Sequence, residues 1–130
     1  MFANQTMHTV LPAADIERAR LWYEEKLGLL PTEPGAYGGY LYTAGDSRFL
    51  LYQSDYAGTN QATAAGFYVD DFDAVIEALR SRGVEFEDVD FGEFGATVNG
   101  VISSEDGSMK GAWFRDSEGN IIAISTPQDS

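Results

Sequence analysis

Two stretches of the chain repeat apolar residues at helical spacing. In "ADIERARLWYEEKLGL" Ile16, Ala19, Tyr23 and Leu27 share one face, Trp22 lies beside them, and Asp15 stands where an N-cap is needed. In "DDFDAVIEALRSRGV" Phe72, Val75, Ile76 and Leu79 form the stripe behind Asp71. Gly28 and Gly83 supply left-handed stops after each helix. The other apolar runs are short, rich in branched and aromatic residues, and separated by turn residues. They predict strands near 6–11, 29–33, 37–44, 48–53, 63–69, 84–89, 109–115 and 120–125. "DSEGN" at 116–120 reads as a hairpin turn, since Gly119 readily takes positive φ. The glycine-rich segment 90–108 has no clear period, although "ATVNGVISS" fits an irregular strand.

The order strand, Asp-capped helix, glycine, three strands occurs twice, in modules at about 5–58 and 62–127. Neither half could bury both faces of a four-stranded sheet alone. The pattern therefore predicts one α+β domain over 1–130: tandem βαβββ modules forming a curved mixed sheet, helices on one face and a cleft on the other.

Composition narrows the function. A chain of 130 residues holds one core. No apolar run reaches the roughly 20 residues that span a bilayer, and "MFANQTMHTV" has no basic-then-apolar leader pattern, so no membrane association and a cytoplasmic location are expected. The absence of cysteine removes disulfides, thiolate metal ligands and thiol nucleophiles. A formal charge of −13 would repel phosphate backbones, which argues against nucleic acid as a partner and mildly favours cationic ligands. Acids crowd between Asp70 and Glu93. Neither Gly-x-Ser-x-Gly nor Ser-x-x-Lys occurs, and a single histidine, His8, gives no basis for a hydrolase triad. "DVDFGEFGATVN" has Glu93 and Asn99 where a calcium loop needs glycine and glutamate. "PGAYGG" at 34–39 lacks the lysine of a phosphate loop and reads as a flap over the cleft.

"MHTVLPAADIERARLWYEEKLGL" together with "GAWFRDSEGNIIAIS" resembles the vicinal oxygen chelate superfamily, the glyoxalase/bleomycin-resistance/dioxygenase group. The likeness covers nearly the whole chain. "FRDSEGN" is a near match to the family's Asp-Pro-Asp-Gly-Asn turn, with Ser117 in place of proline and Glu118 in place of the second aspartate. The resemblance implies paired βαβββ modules around a U-shaped cavity, in a homodimer. It does not fix the activity, since members include metalloenzymes, dioxygenases and drug-sequestering proteins.

Relatives resembling glyoxalase I bind a divalent metal through four side chains. Carried onto this chain, those positions fall on His8, Tyr52, Ala64 and Ala123. Alanine has no ligating atom, and a neutral phenol is a poor ligand. The resemblance thus implies a fold without its usual metal: no metal site and no cofactor are expected. The family register points Thr6, His8, Val10, Leu50, Tyr52, Ala64, Gly66, Tyr68, Ile121, Ala123 and Ser125 into the cleft, and Phe49, Leu51, Phe67, Val69, Ile122 and Ile124 toward the helices. Rings from Tyr40, Tyr42, Trp113 and Phe114 are candidates to reach the same space. The expected ligand-binding set is therefore His8, Tyr42, Leu50, Tyr52, Ala64, Gly66, Tyr68, Trp113 and Ala123. An aromatic-walled cavity with few polar tips suits a small organic molecule, cationic or aromatic. Binding or sequestering such a molecule is the leading expectation. A metal-independent lyase or isomerase using His8 and Tyr52 as acid–base groups is the alternative. A metal-dependent glyoxalase or dioxygenase comes third.

Overall fold

Alternating burial sorts the strands into a helix-covered face and an open one. The computed structural model describes residues 1–127. The first module contains β1 (Thr9–Ala13), α1 (Ile16–Trp22), β2 (Glu33–Pro34), β3 (Tyr40–Ala44) and β4 (Ser47–Gln53); a wider π turn, Tyr23–Leu27, prolongs α1. The second contains β5 (Thr63–Tyr68), α2 (Phe72–Ser81), β6 (Val101–Ser103), β7 (Lys110–Arg115) and β8 (Ile121–Ser125). The sheets have orders β1-β4-β3-β2 and β5-β8-β7-β6. In each, the first strand pairs parallel with the last and the other pairings are antiparallel. The same topology twice is the duplicated βαβββ unit, and edge strands β1 and β5 are in contact.

Both helices begin as the sequence predicts. The Asp15 carboxylate accepts from the Arg18 N–H at 3.1 Å, and that of Asp71 from the Ala74 N–H at 3.3 Å. Gly28, at φ 68°, ends the first. Leu11, Ala13, Phe49, Leu51, Ile122 and Ile124 point toward the helices and form one core with Ala19, Tyr23, Ile76 and Leu79.

Four predicted strands are redrawn. The first lies at 9–13 instead of 6–11, leaving Thr6 and His8 in the segment before it. The second shrinks to Glu33–Pro34, and the third starts at Tyr40 because Ala36–Gly38 form a 3₁₀ turn. The stretch 84–89 is not a strand. Val101–Ser103 occupy the edge of β7 over Lys110–Ala112, leaving that stretch one isolated bridge, Phe86 to Phe114.

The "DSEGN" turn ties the modules together. Asp116 is buried and accepts from the Tyr23 hydroxyl at 2.6 Å, from the Glu118 and Asn120 N–H groups at 2.9 Å, and from Asn120 Nδ2 at 2.9 Å. Asn120 Nδ2 also donates to the Pro12 carbonyl at 2.8 Å. Glu118 receives Arg18 in a two-pronged pair at 2.9 Å and the Asp15 N–H at 2.9 Å. The turn of the second module therefore holds the first module's β1 and the start of α1. Gly58 completes the join, since a Cβ there would lie 2.8 Å from the Glu118 carbonyl oxygen.

Candidate functional site

Strand register fixes which side chains share the open face. Val10 pairs with Leu50 and Pro12 with Tyr52 in the first sheet, while Gly66 and Trp113 both pair with Ala123 in the second. These positions alternate with the core residues, so they point away from the helices. Val10 is 46% exposed, which leaves this face uncovered in the single chain.

Two cavities lie on it. One, of about 500 Å³, is bordered by Thr6, His8, Gly35, Leu41, Arg48 and Leu50. The other, of about 450 Å³, is bordered by Thr63, Asp88, Phe91, Trp113, Arg115 and Ile121. In the second, the Phe91 and Trp113 rings are tilted with centroids 5.2 Å apart. Both volumes fall within the range of small-molecule sites. The cations at these cavities are paired with carboxylates, while Asp46 at the first and Asp88 at the second are in no ion pair among the described residues. Arg48 pairs with Glu33 at 2.7 Å and Arg115 with Glu87 at 2.6 Å.

The expected site residues therefore separate. His8 and Leu50 border the first cavity and Trp113 the second. Tyr52 shares the open face but borders neither of these two cavities, so neither joins it to His8. Gly66 and Ala123 are register partners on that face.

Two expectations need correction. Tyr42 is not on the open face: it pairs with Phe49, is fully buried, and stacks on that ring at 4.7 Å with planes 2° apart. Ala64 lies at a β-bulge, where the pairing steps from Thr63–Ile121 to Ala65–Ile122. The extra residue breaks the period of two, and Ala64 packs against the core while Thr63 takes the place opposite Ile121. Tyr68, 68% exposed at the end of β5, pairs with Ser125 and keeps the alternation that puts Gly66 on the open face, while the segment 67–69 also borders a cavity on the helix side. Two further candidate rings, Tyr40 and Phe114, also turn to the core, because they pair with Leu51 and Ile122.

Sequence reasoning missed Arg48 and Thr63. Arg48 was within reach, since counting back by two from Tyr52 and Leu50 lands on it. Nothing in the sequence announces the bulge that promotes Thr63.

The divalent ion of glyoxalase-like relatives needs a set of oxygen and nitrogen ligands on this face. Among the described residues no three His, Asp or Glu side chains gather into a possible metal cluster. The open-face positions beside Ala123 carry glycine and tryptophan, and Thr63 offers only a neutral hydroxyl. These residues do not fit such an ion.

Paired βαβββ modules with one helix-covered and one open face define the class of this protein. The family model described as Glyoxalase/Bleomycin resistance protein/Dioxygenase superfamily matches residues 5–124, and the chain belongs to that superfamily. Its fold is shared by a protein from the mobile metagenome of V. pseudocholerae, 24% identical, with TM-score 0.67 over 99% of this chain and 98% of that one. A glyoxalase/bleomycin resistance protein from Catenulispora acidiphila is 20% identical, with TM-score 0.68 over 95% and 98%. The fosfomycin resistance protein FosX from Mesorhizobium loti is 15% identical, with TM-score 0.66 over 96% and 93%. No curated protein matches the sequence. Among the described residues no helix is long and apolar enough to cross a membrane.

Proposed function

We propose that the chain binds or sequesters a small hydrophobic or aromatic organic molecule on its open face without a metal, as a cytoplasmic homodimer. The observation that carries this reading is the chemistry of that face. Cavities of small-molecule size are walled by Leu50, Trp113 and Phe91, while the family's metal positions hold Ala123 and a displaced Ala64. A second copy of the chain would roof a face that leaves Val10 46% exposed. The charge of −13 favours a cation among aromatic ligands. The acid–base alternative has less support, because Tyr52 pairs with Pro12, four residues beyond His8, and does not border the His8 cavity.

Crystal violet, a hydrophobic aromatic cation, is the probe. Titrated into the intact protein, it should quench Trp113 fluorescence saturably, more weakly as salt is added, and Trp113→Phe should remove that signal. Absence of saturable binding, or recovery of one divalent ion per chain from protein purified without chelators, would refute the reading. Sedimentation should give a dimer.

A further inference from the structure

The helix-covered side holds a third cavity, of about 400 Å³, where the two modules meet. Its walls come from both: Leu27 and Ala44 from the first, Val69, Leu79, Phe114 and Ile124 from the second. Among the described residues two charged ones border it, Lys26 and Arg82, and both are cations. They sit at the ends of the two helical segments, which approach each other here. The Lys26 ammonium donates to the Arg82 carbonyl, and Arg82 Nη1 donates to the Lys26 carbonyl at 3.0 Å.

These bonds account for one N–H of each cation. An ammonium has three and a guanidinium five, so among the described residues most of their donors stay uncommitted. Five of the eight basic residues, Arg18, Arg20, Arg48, Lys110 and Arg115, are paired with carboxylates. Lys26 and Arg82 have no carboxylate within 4.0 Å among the described residues, in a chain where acids outnumber bases 21 to 8.

We propose that this cavity is a second binding site, taking a small amphipathic monoanion: a carboxylate held by Lys26 and Arg82, with its aliphatic or aromatic body against the apolar walls. The rim would repel a cation. A bare inorganic anion would leave the walls unused, and a neutral hydrocarbon would leave the two cations unpaired. The site is independent of the open-face reading and prefers the opposite charge.

Decanoate, decanol and decyltrimethylammonium are the probes, with amide ¹H–¹⁵N shifts of the intact protein as the readout. Decanoate should saturably shift Val69, Val75, Ala78 and Leu79 and leave His8, Leu50 and Trp113 in place. Decanol should bind about ten-fold more weakly, the factor expected from a lost charge-assisted hydrogen bond. The cationic probe should not displace decanoate. Lys26→Gln with Arg82→Gln should weaken decanoate about ten-fold while sparing decanol. Because those residues also join the helix ends, Ala78→Phe provides an independent test: Ala78 borders the cavity, and a ring there should abolish binding with the rim intact. Decanol binding as tightly as decanoate, shifts centred on the open face, no saturable binding, or undiminished binding to Ala78→Phe would each overturn the proposal.

Discussion

Tyr23 and Tyr42 lie in the same core cluster with ring centroids 5.9 Å apart, both fully buried, yet deleting their hydroxyls should have opposite effects. The Tyr23 hydroxyl donates to Asp116 at 2.6 Å, whereas the Tyr42 hydroxyl is buried with no hydrogen-bond partner among the described residues. Burial pushes the Tyr42 phenol up to about 12, so it is neutral wherever the protein folds and gains nothing from ionising. An unsatisfied buried hydroxyl costs about 1–3 kcal/mol of desolvation. Tyr42→Phe removes that cost while keeping the stack on Phe49, and should stabilise by about 1 kcal/mol. Tyr23→Phe takes a charge-assisted donor from a buried carboxylate and should destabilise by about 2 kcal/mol. The spread of about 3 kcal/mol corresponds to melting temperatures roughly 10 °C apart for a domain of this size. Urea unfolding followed by tryptophan fluorescence measures both, with the slope checked for constancy. If Tyr42→Phe lowered stability by more than about 0.5 kcal/mol at unchanged slope, the hydroxyl would have a partner in solution and the reasoning would fail.

Three more outcomes follow from the join and the flap. Burial opposes the charge on Glu118, but Arg18, the Ser117 hydroxyl and the Asp15 N–H outweigh it and hold the carboxyl down at about 2. A depressed folded-state value means stability that is complete above the ordinary value near 4.5 and lost as pH falls toward 2. Glu118→Gln should cost about 1–2 kcal/mol at neutral pH, screening at exposed Arg18 included, and the gap to the parent should narrow in urea titrations at pH ~3. Gly58→Ala combines φ 78° with a Cβ 2.8 Å from the Glu118 carbonyl oxygen, and calorimetry should show a loss of about 2 kcal/mol. Tyr37 holds φ 57° on the exposed flap, so Tyr37→Gly should raise the unfolding midpoint by the equivalent of about 1 kcal/mol.

Helices and duplication were legible because their signals are local and repeated. Asp15 and Asp71 cap where they should, and Gly28 and Gly83 both take positive φ. Face assignment succeeded where alternation ran unbroken, as at Phe49, Leu50 and Leu51. It failed at Ala64 because a bulge adds a residue that a period of two cannot register. Tyr42 was misplaced for a different reason. Aromatic character was read as ligand contact, while its place opposite Phe49 depends on the tight Gly45 turn between β3 and β4. Segment 84–89 has strand-like composition, but whether it pairs depends on a competitor, Val101–Ser103, fifteen residues further on.

The carboxylates of the chain show what holds the paired modules together and what is left free. Asp116 and Glu118 are among the most buried acids, and every contact they make serves the join between modules: Tyr23, Arg18, Asp15 and the turn itself. None is free to reach the open face. The fold therefore carries these acids at the join, where removing one would weaken the contact between the modules. The open face bears no such obligation, and positions such as Gly66, Ala123 and Trp113 can change without disturbing the join. A duplicated module fastened at this turn leaves its open face free to vary.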